Sequence, residues 1–236
     1  MLFDVLLWDI DGTLLDFGGS ERAAIRKCFS LFSLGECSEE MLSRYSEINR
    51  KYWRKLENGE LTKAQVLTNR FVEFFAGENI VFDRVDELNA EYQRLLGETV
   101  FFNENSYDLI QKLRGCVRQY AVTNGTALAQ ERKLEKSGLG RLFDGVFISD
   151  KVGAEKPDPA FFDFVFSQIG PVSRNRVLII GDSLSSDIRG GNNAKIRCGW
   201  YNPSGGENPS GLRVDYVLKS LWQIEPILAG EEEAAE

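Results

Sequence analysis

The chain has 236 residues, with 28 Lys and Arg against 36 Asp and Glu, giving a formal net charge of −8. This excess of acid argues against a polyanion such as duplex DNA as partner, while leaving room for a small anion in a local basic pocket. Histidine is absent, which excludes Ser-His-Asp and Cys-His hydrolases, His-based zinc sites and phosphohistidine chemistry.

A chain of this length can form one large domain or two small ones, and its 43% hydrophobic and 27% charged content is ordinary for a soluble globular protein. The first apolar run is short, contains Asp4 and leads straight into an acidic segment, so no signal peptide is expected. No apolar run approaches membrane-spanning length. Cys28, Cys37, Cys116 and Cys198 form no CxxC spacing and are expected to be reduced, buried thiols of a cytoplasmic protein. P-loop and GxGxxG fingerprints are both missing.

Val5 to Trp8 is apolar without polar alternation, which suits a strand buried on both faces, as in a parallel sheet. Asp9 and Asp11 follow, leading into a Gly12-Thr13 turn. Two acids this close repel unless one is protonated or a cation lies between them, and hard oxygen ligands suit Mg²⁺ with a substrate phosphate. Helical stretches are then expected at roughly 20–34, 38–57, 61–76 and 83–97, with Ser20 as N-cap of the first and breaks at Gly35, Asn58-Gly59, Gly77 and Gly97. This predicts a small all-helical domain at 17–97, inserted after the first strand.

From about residue 100 strands and helices alternate. Strands are expected at Val117 to Val122, Val146 to Ile148, Val177 to Ile180, near Arg197 to Tyr201 and near Asp215 to Leu218. Gly138 should close one helix and Pro159 should open another, with Phe161, Phe162, Phe164 and Phe166 in the core. The pattern predicts an α/β fold, a Rossmann-like parallel sheet core built from residues 1–16 and 98–230 and covered on both faces. The Glu-rich segment 231–236 reads as a solvated, disordered tail.

Four apolar runs end in polar groups: Asp9 and Asp11; Thr123 and Asn124; Ser149 and Asp150, shortly before Lys156; and Asp182 with Ser183. Strand C-termini of a parallel sheet share one edge, so these groups should converge. Acids, a hydroxyl and a lysine together are what phosphate ester chemistry requires. Each motif alone also fits a turn, a loop lysine or a helix cap.

Together the motifs resemble the haloacid dehalogenase-like (HAD) hydrolases, in their Mg²⁺-dependent phosphatase branch. Asp9-Ile10-Asp11-Gly12-Thr13-Leu14 matches the first family motif and Thr123-Asn124-Gly125 the second. Lys156-Pro157-Asp158-Pro159 matches the third, and Gly181-Asp182-Ser183 with Asp187 the fourth. The resemblance implies that Asp9 attacks phosphorus to form an aspartyl-phosphate, while Asp11 protonates the leaving oxygen and later activates water. It implies Mg²⁺ held by Asp9, the Asp11 backbone carbonyl and Asp182, with Asp187 in support. Phosphoryl oxygens would be held by Thr123, Asn124 and Lys156, and the helical insert would be the family's cap.

Tyr52-Trp53-Arg54, Asn58 to Thr62, Arg70-Phe71 and Gly199 to Pro203 are similar to noncanonical pyrimidine 5′-nucleotidases. Asn103 to Tyr107 departs from the Pro-Gly turn of many relatives. The implied activity is hydrolysis of nucleoside 5′-monophosphates. The implied partner is a small phosphorylated metabolite, not a nucleic acid polymer or a membrane. A sugar-phosphate or phosphoglycolate phosphatase and a phosphomutase would share the four motifs. A 2-haloacid dehalogenase would need neither Mg²⁺ nor an acid at position 11, and a silent interaction protein would not need the intact acids. Trp53, Arg70 and Phe71 are expected to be structural.

Overall fold

Six parallel strands form a single sheet in the order β3-β2-β1-β4-β5-β6: β1 (Val5–Trp8), β2 (Arg118–Thr123), β3 (Gly145–Ile148), β4 (Val177–Gly181), β5 (Arg197–Tyr201) and β6 (Tyr216–Leu218). The computed structural model describes residues 1–231, so the expected disordered tail lies outside them except for Glu231, which is exposed. β1 is central, with Leu7 in register with Tyr120 on one side and Ile179 on the other. All four of its residues are buried, as an apolar strand covered on both faces requires. The strand order reverses beside β1, which puts the crevice for a ligand at its C-terminal end.

Leu6, Trp8 and Ile180 face one layer of helices, and Val5, Leu7 and Ile179 face the other. After β1 come α1 (Phe17–Leu31), α2 (Glu39–Glu57), α3 (Lys63–Gly77) and α4 (Val85–Glu98). These four enclose an aromatic core of their own, including Phe29, Tyr45, Phe71, Phe74 and Tyr92. Tyr45 stacks on Phe71 with ring centroids 5.2 Å apart, and burying each such ring contributes about 1.5–3 kcal/mol. The remaining helices are α5 (Ser106–Leu113), α6 (Ala127–Ser137), α7 (Ser149–Val152), α8 (Pro159–Gln168), α9 (Arg189–Asn193) and α10 (Ile224–Ala229).

The two ends of the helical insertion lie side by side. Leu15 forms an antiparallel bridge with Phe102, and the Asp16 N–H donates to the Phe101 carbonyl at 2.9 Å. α4 then rests closely on α6, where a Cβ added at Gly97 would stand 2.5 Å from the Arg132 Cβ.

Some expectations need correction. α1 begins at Phe17, capped by Asp16, whose carboxylate accepts the Gly19 N–H at 3.0 Å. Ser20 is no cap; its hydroxyl donates back to the Asp16 carbonyl at 3.1 Å. Gly18 and Gly19, poor helix formers, hide this first turn from a propensity reading. In α8 Phe161 and Phe162 are buried, but Phe164 is exposed and Phe166 half-buried, because only one face of the helix meets the sheet. All four cysteines are unpaired, yet only Cys28 and Cys198 are buried; Cys37 is half-buried and Cys116 exposed. After β4 the chain makes a π-helical turn, Leu184–Ile188, before α9. Among the described residues no helix is long and apolar enough to cross a membrane.

Candidate active site

Asp9 continues β1, its N–H donating to the Ile180 carbonyl at 2.9 Å, so its side chain is fixed by the sheet. Asp9, Asp182 and Asp187 each offer a carboxylate oxygen, all within 4.8 Å of one another. The Thr13 hydroxyl lies 3.2 Å from both Asp9 Oδ2 and Asp182 Oδ1, and it accepts the Asp182 N–H at 3.0 Å. A single turn residue thereby holds the ends of two adjacent strands in register. Gly12 has φ +93°, and a Cβ there would stand 2.6 Å from Asp182 Oδ2. Both the backbone conformation and the close approach demand glycine.

Lys156 is buried beneath this cluster. Its ammonium donates to Asp9 Oδ1 at 2.7 Å, to Asp187 Oδ1 at 2.6 Å and to the Val122 carbonyl at 2.7 Å, which uses all three protons. Burial alone would weaken its hold on a proton, but Asp187 and Asp9 outweigh that and raise its pKa. Burial, then the charge of Asp187, pushes the Asp9 carboxyl well above the usual carboxylate range, with Lys156 pulling it back. Burial and Asp187 likewise push Asp182 up to about 7. When ionised, three carboxylates against one ammonium leave two negative charges uncompensated. That deficit and the hard oxygen donors fit a divalent ion such as Mg²⁺. Both oxygens of Asp187 are engaged, by Lys156 and by the Ser183 N–H at 3.1 Å, so Asp187 suits a supporting place beside Asp9 and Asp182.

Asn124 clamps the loop that carries Lys156. Its Oδ1 accepts the Lys156 N–H at 2.9 Å and its Nδ2 donates to the Lys156 carbonyl at 2.8 Å. Asp9, Asp11, Asn124, Lys156, Asp182 and Asp187 all border one cavity of about 910 Å³. Three of the groups expected to converge do not reach its wall: Thr123 is fully buried, its hydroxyl donating to the Asn124 carbonyl at 3.4 Å, while the Ser149 hydroxyl and the Asp150 carboxylate each lie 3.1 Å from the Lys63 ammonium.

Asp11 has partners that sequence reasoning missed. Lys133 Nζ donates to its two carboxylate oxygens at 2.6 and 2.7 Å, and Gln130 Nε2 donates to Oδ2 at 2.7 Å. The available signal was their i, i+3 spacing on the helix that follows Thr123-Asn124-Gly125.

Helices α1–α4 form the opposite wall of the cavity, including Glu21, Asn49, Trp53, Glu57 and Arg70. Phe71 is core, as expected, but Trp53 and Arg70 border the cavity. Arg70 is held by Asn49 Oδ1 at 2.7 Å and Asn89 Oδ1 at 3.0 Å. Glu57 Oε2 accepts the Ser185 hydroxyl at 2.5 Å, and both residues border the cavity. Burial, with Asp187 nearby, pushes its carboxyl up to about 7.

The chain is 33% identical over 225 residues to the pyrimidine 5′-nucleotidase PynA of Streptococcus pneumoniae, covering 95% of this chain and 94% of that protein. It is 30% identical over 228 residues to the pyrimidine 5′-nucleotidase YjjG of Escherichia coli, covering 97% and 99%. The crystal structure of the HAD-hydrolase YfnB from Bacillus subtilis, bound to magnesium, matches with a TM-score of 0.89 at 32% identity, over 97% of this chain and 99% of that one. The model of the haloacid dehalogenase-like hydrolase family matches residues 3–195, a span that takes in every acid of the cluster, and the chain belongs to that family of enzymes.

Proposed function

We propose that this enzyme is a phosphomonoester hydrolase working through an aspartyl-phosphate on Asp9, with nucleoside 5′-monophosphates as substrates. The observation that carries the reading is the Asp9 carboxylate, set between Lys156 and Asp182 on the wall of the cavity that Asp11 also borders. An Asp9 oxygen attacks phosphorus as the ester P–O bond breaks, and Asp11 delivers a proton to the departing oxygen. Asp11 then takes a proton from the water that attacks the aspartyl-phosphate, releasing phosphate and restoring Asp9. Lys156 and the backbone N–H groups around Asp11 and Asn124 hold the phosphoryl oxygens. Asp9, Asp182 and the Asp11 carbonyl would hold Mg²⁺, with Asp187 in support, and when bound the ion neutralises charge on the phosphoryl group.

Magnitudes favour this division of labour. Enzymes lower the barrier to monoester hydrolysis by about 20 kcal/mol or more. A positioned acid supplies roughly 10²–10⁴-fold, about 3–5 kcal/mol. Most must therefore come from the cation and the ammonium around the phosphoryl oxygens.

Residues 17–97 act as a cap over the core formed by 1–16 and 98–230, and they select the organic part of the ester. The relatives PynA and YjjG, named as pyrimidine 5′-nucleotidases and aligned over the cap as well as the core, support a nucleoside monophosphate there. The four unpaired cysteines fit a reducing compartment, and we place the enzyme in the cytoplasm. A Mg²⁺-dependent phosphate-release screen over nucleoside monophosphates, sugar phosphates and phosphoglycolate tests the reading. Nucleoside monophosphates should be hydrolysed fastest; a sugar phosphate preferred by about tenfold (about 1.4 kcal/mol) would overturn it. Transfer of ³²P to a second metabolite rather than to water would reassign the enzyme as a mutase.

A further inference from the structure

Asp11 differs from the other acids of the site in how it is held. The Asp9 carboxylate meets the sheet-bound Lys156, whereas both oxygens of Asp11 turn to one helix, α6, and meet Lys133 and Gln130 there. Lys133 is 2% exposed, and among the described residues Asp11 is the carboxylate it pairs with. On its other side the Phe17 ring lies 5.1 Å from the ammonium. A buried lysine with a single carboxylate partner is a poor device for stability, since an apolar side chain of similar volume serves a helix as well or better.

Gln130 carries the second half of the observation. It turns its amide nitrogen to Asp11 while its Oε1 stays buried without a hydrogen-bond partner among the described residues. Its side chain also occupies the space beside Gly125, where a Cβ would stand 2.6 Å from Nε2. The phosphate-side turn and the amide are thus fitted to each other, and the amide is aimed at Asp11 although one of its own atoms goes unpaired.

We propose that Lys133 and Gln130 are positioning residues that hold the Asp11 carboxyl in one orientation on the cavity wall, from which it serves the leaving-group oxygen. This rests on the phosphatase reading above. In the step concerned, the bond from Asp9 to phosphorus forms, the ester P–O bond breaks, and the proton on Asp11 passes to the departing oxygen. Lys133 keeps its own protons throughout and touches neither substrate nor phosphorus. Lys133 and Gln130 occupy both lone pairs of Oδ2, so the transferred proton is carried on Oδ1, which only Lys133 contacts among the described residues, and orientation decides whether its transfer keeps pace with bond breaking.

The test compares two esters that differ in their need for that proton. A nucleoside 5′-monophosphate expels an alkoxide and depends on the acid, whereas p-nitrophenyl phosphate expels a stable phenolate and depends on it little. kcat/KM reports steps up to phosphoryl transfer, so later breakdown of the aspartyl-phosphate does not blur the comparison. Lys133→Met should lower kcat/KM for the nucleotide by about a hundredfold and for the aryl ester by less than about tenfold. Lys133→Arg should recover part of the nucleotide rate, and Asp11→Asn should show the same alkyl-to-aryl disparity. Gln130→Leu, a milder change, should move the ratio in the same direction and covers the case in which Lys133→Met does not fold. Equal losses on both esters in Lys133→Met and Gln130→Leu, or an unchanged ratio, would overturn the proposal. Failure of the unmodified enzyme to hydrolyse either ester would instead overturn the phosphatase reading itself.

Discussion

Lys156 Nζ and Asp9 Oδ1 are 2.7 Å apart although 147 residues separate them in the chain. The contact joins the end of the central strand to a loop beyond β3, and it is buried on both sides. Because the same ammonium also holds Asp187, its removal leaves two buried carboxylates facing each other. Breaking a buried pair in this way costs about 3–5 kcal/mol. Lys156→Met should lose that much stability to urea in metal-free buffer and should lose phosphatase turnover. Stability within about 1 kcal/mol of the parent would show that the pair is not holding the sheet edge together.

Asp9→Asn removes the nucleophile while keeping the shape of the side chain. Turnover of p-nitrophenyl phosphate should fall by about a thousandfold or more, with the thermal transition unchanged or raised, because one charge leaves a crowded acidic cluster. Activity within about tenfold of the parent would remove Asp9 from its proposed role.

Asp182→Ala separates metal binding from folding. Without metal the variant should be at least as stable as the parent, since Asp182 repels Asp9 and Asp187. With Mg²⁺ the parent should gain stability by binding the ion, about 2.7 kcal/mol at a hundred times Kd. The variant should gain little, and its activity should need far more Mg²⁺. Superimposable Mg²⁺ titrations of melting temperature would contradict a ligand role for Asp182.

Glu57 makes the pH prediction. Its carboxyl is pushed up to about 7 in the folded chain from an ordinary value of 4.5, chiefly by burial. The folded state therefore holds the proton more tightly than the unfolded chain does. This contribution to stability is fully present below pH 4.5 and is lost as pH rises through 7. A shift of this size corresponds to no more than about 3 kcal/mol, and partial exposure trims it. Glu57→Gln should flatten the fall in stability between pH 5 and 8 in metal-free buffer. A parent and variant that decline in parallel would assign the slope to other groups.

Legibility in the sequence followed the range of the interaction concerned. The buried central strand, the Gly138 and Pro159 helix boundaries and the convergence of Asp9, Asp182 and Lys156 all rest on local apolar runs and turn chemistry, with parallel strands sharing an edge. Lys133 and Gln130 were hidden because neither is unusual on a helix surface; only the seating of α6 under Asp11 gives them their place. Thr123 was legible as a strand end, but its full burial depends on how the turn after β2 packs, which local sequence does not carry. Arg70 was expected to be structural, and it does pack on Phe71 and Tyr92. That the same side chain also faces the cavity depends on how α3 is rotated within the bundle, which helical periodicity alone leaves open.

The paired crossing at Leu15–Phe102 and Asp16–Phe101 means that the polypeptide departs from the sheet and returns to it at a single point. A segment attached in that manner can be lengthened, shortened or exchanged without sliding any strand against its neighbour. Grafting another helical lid between positions 16 and 101 should therefore change which esters are admitted while Asp9, Asp182 and Lys156 keep their places.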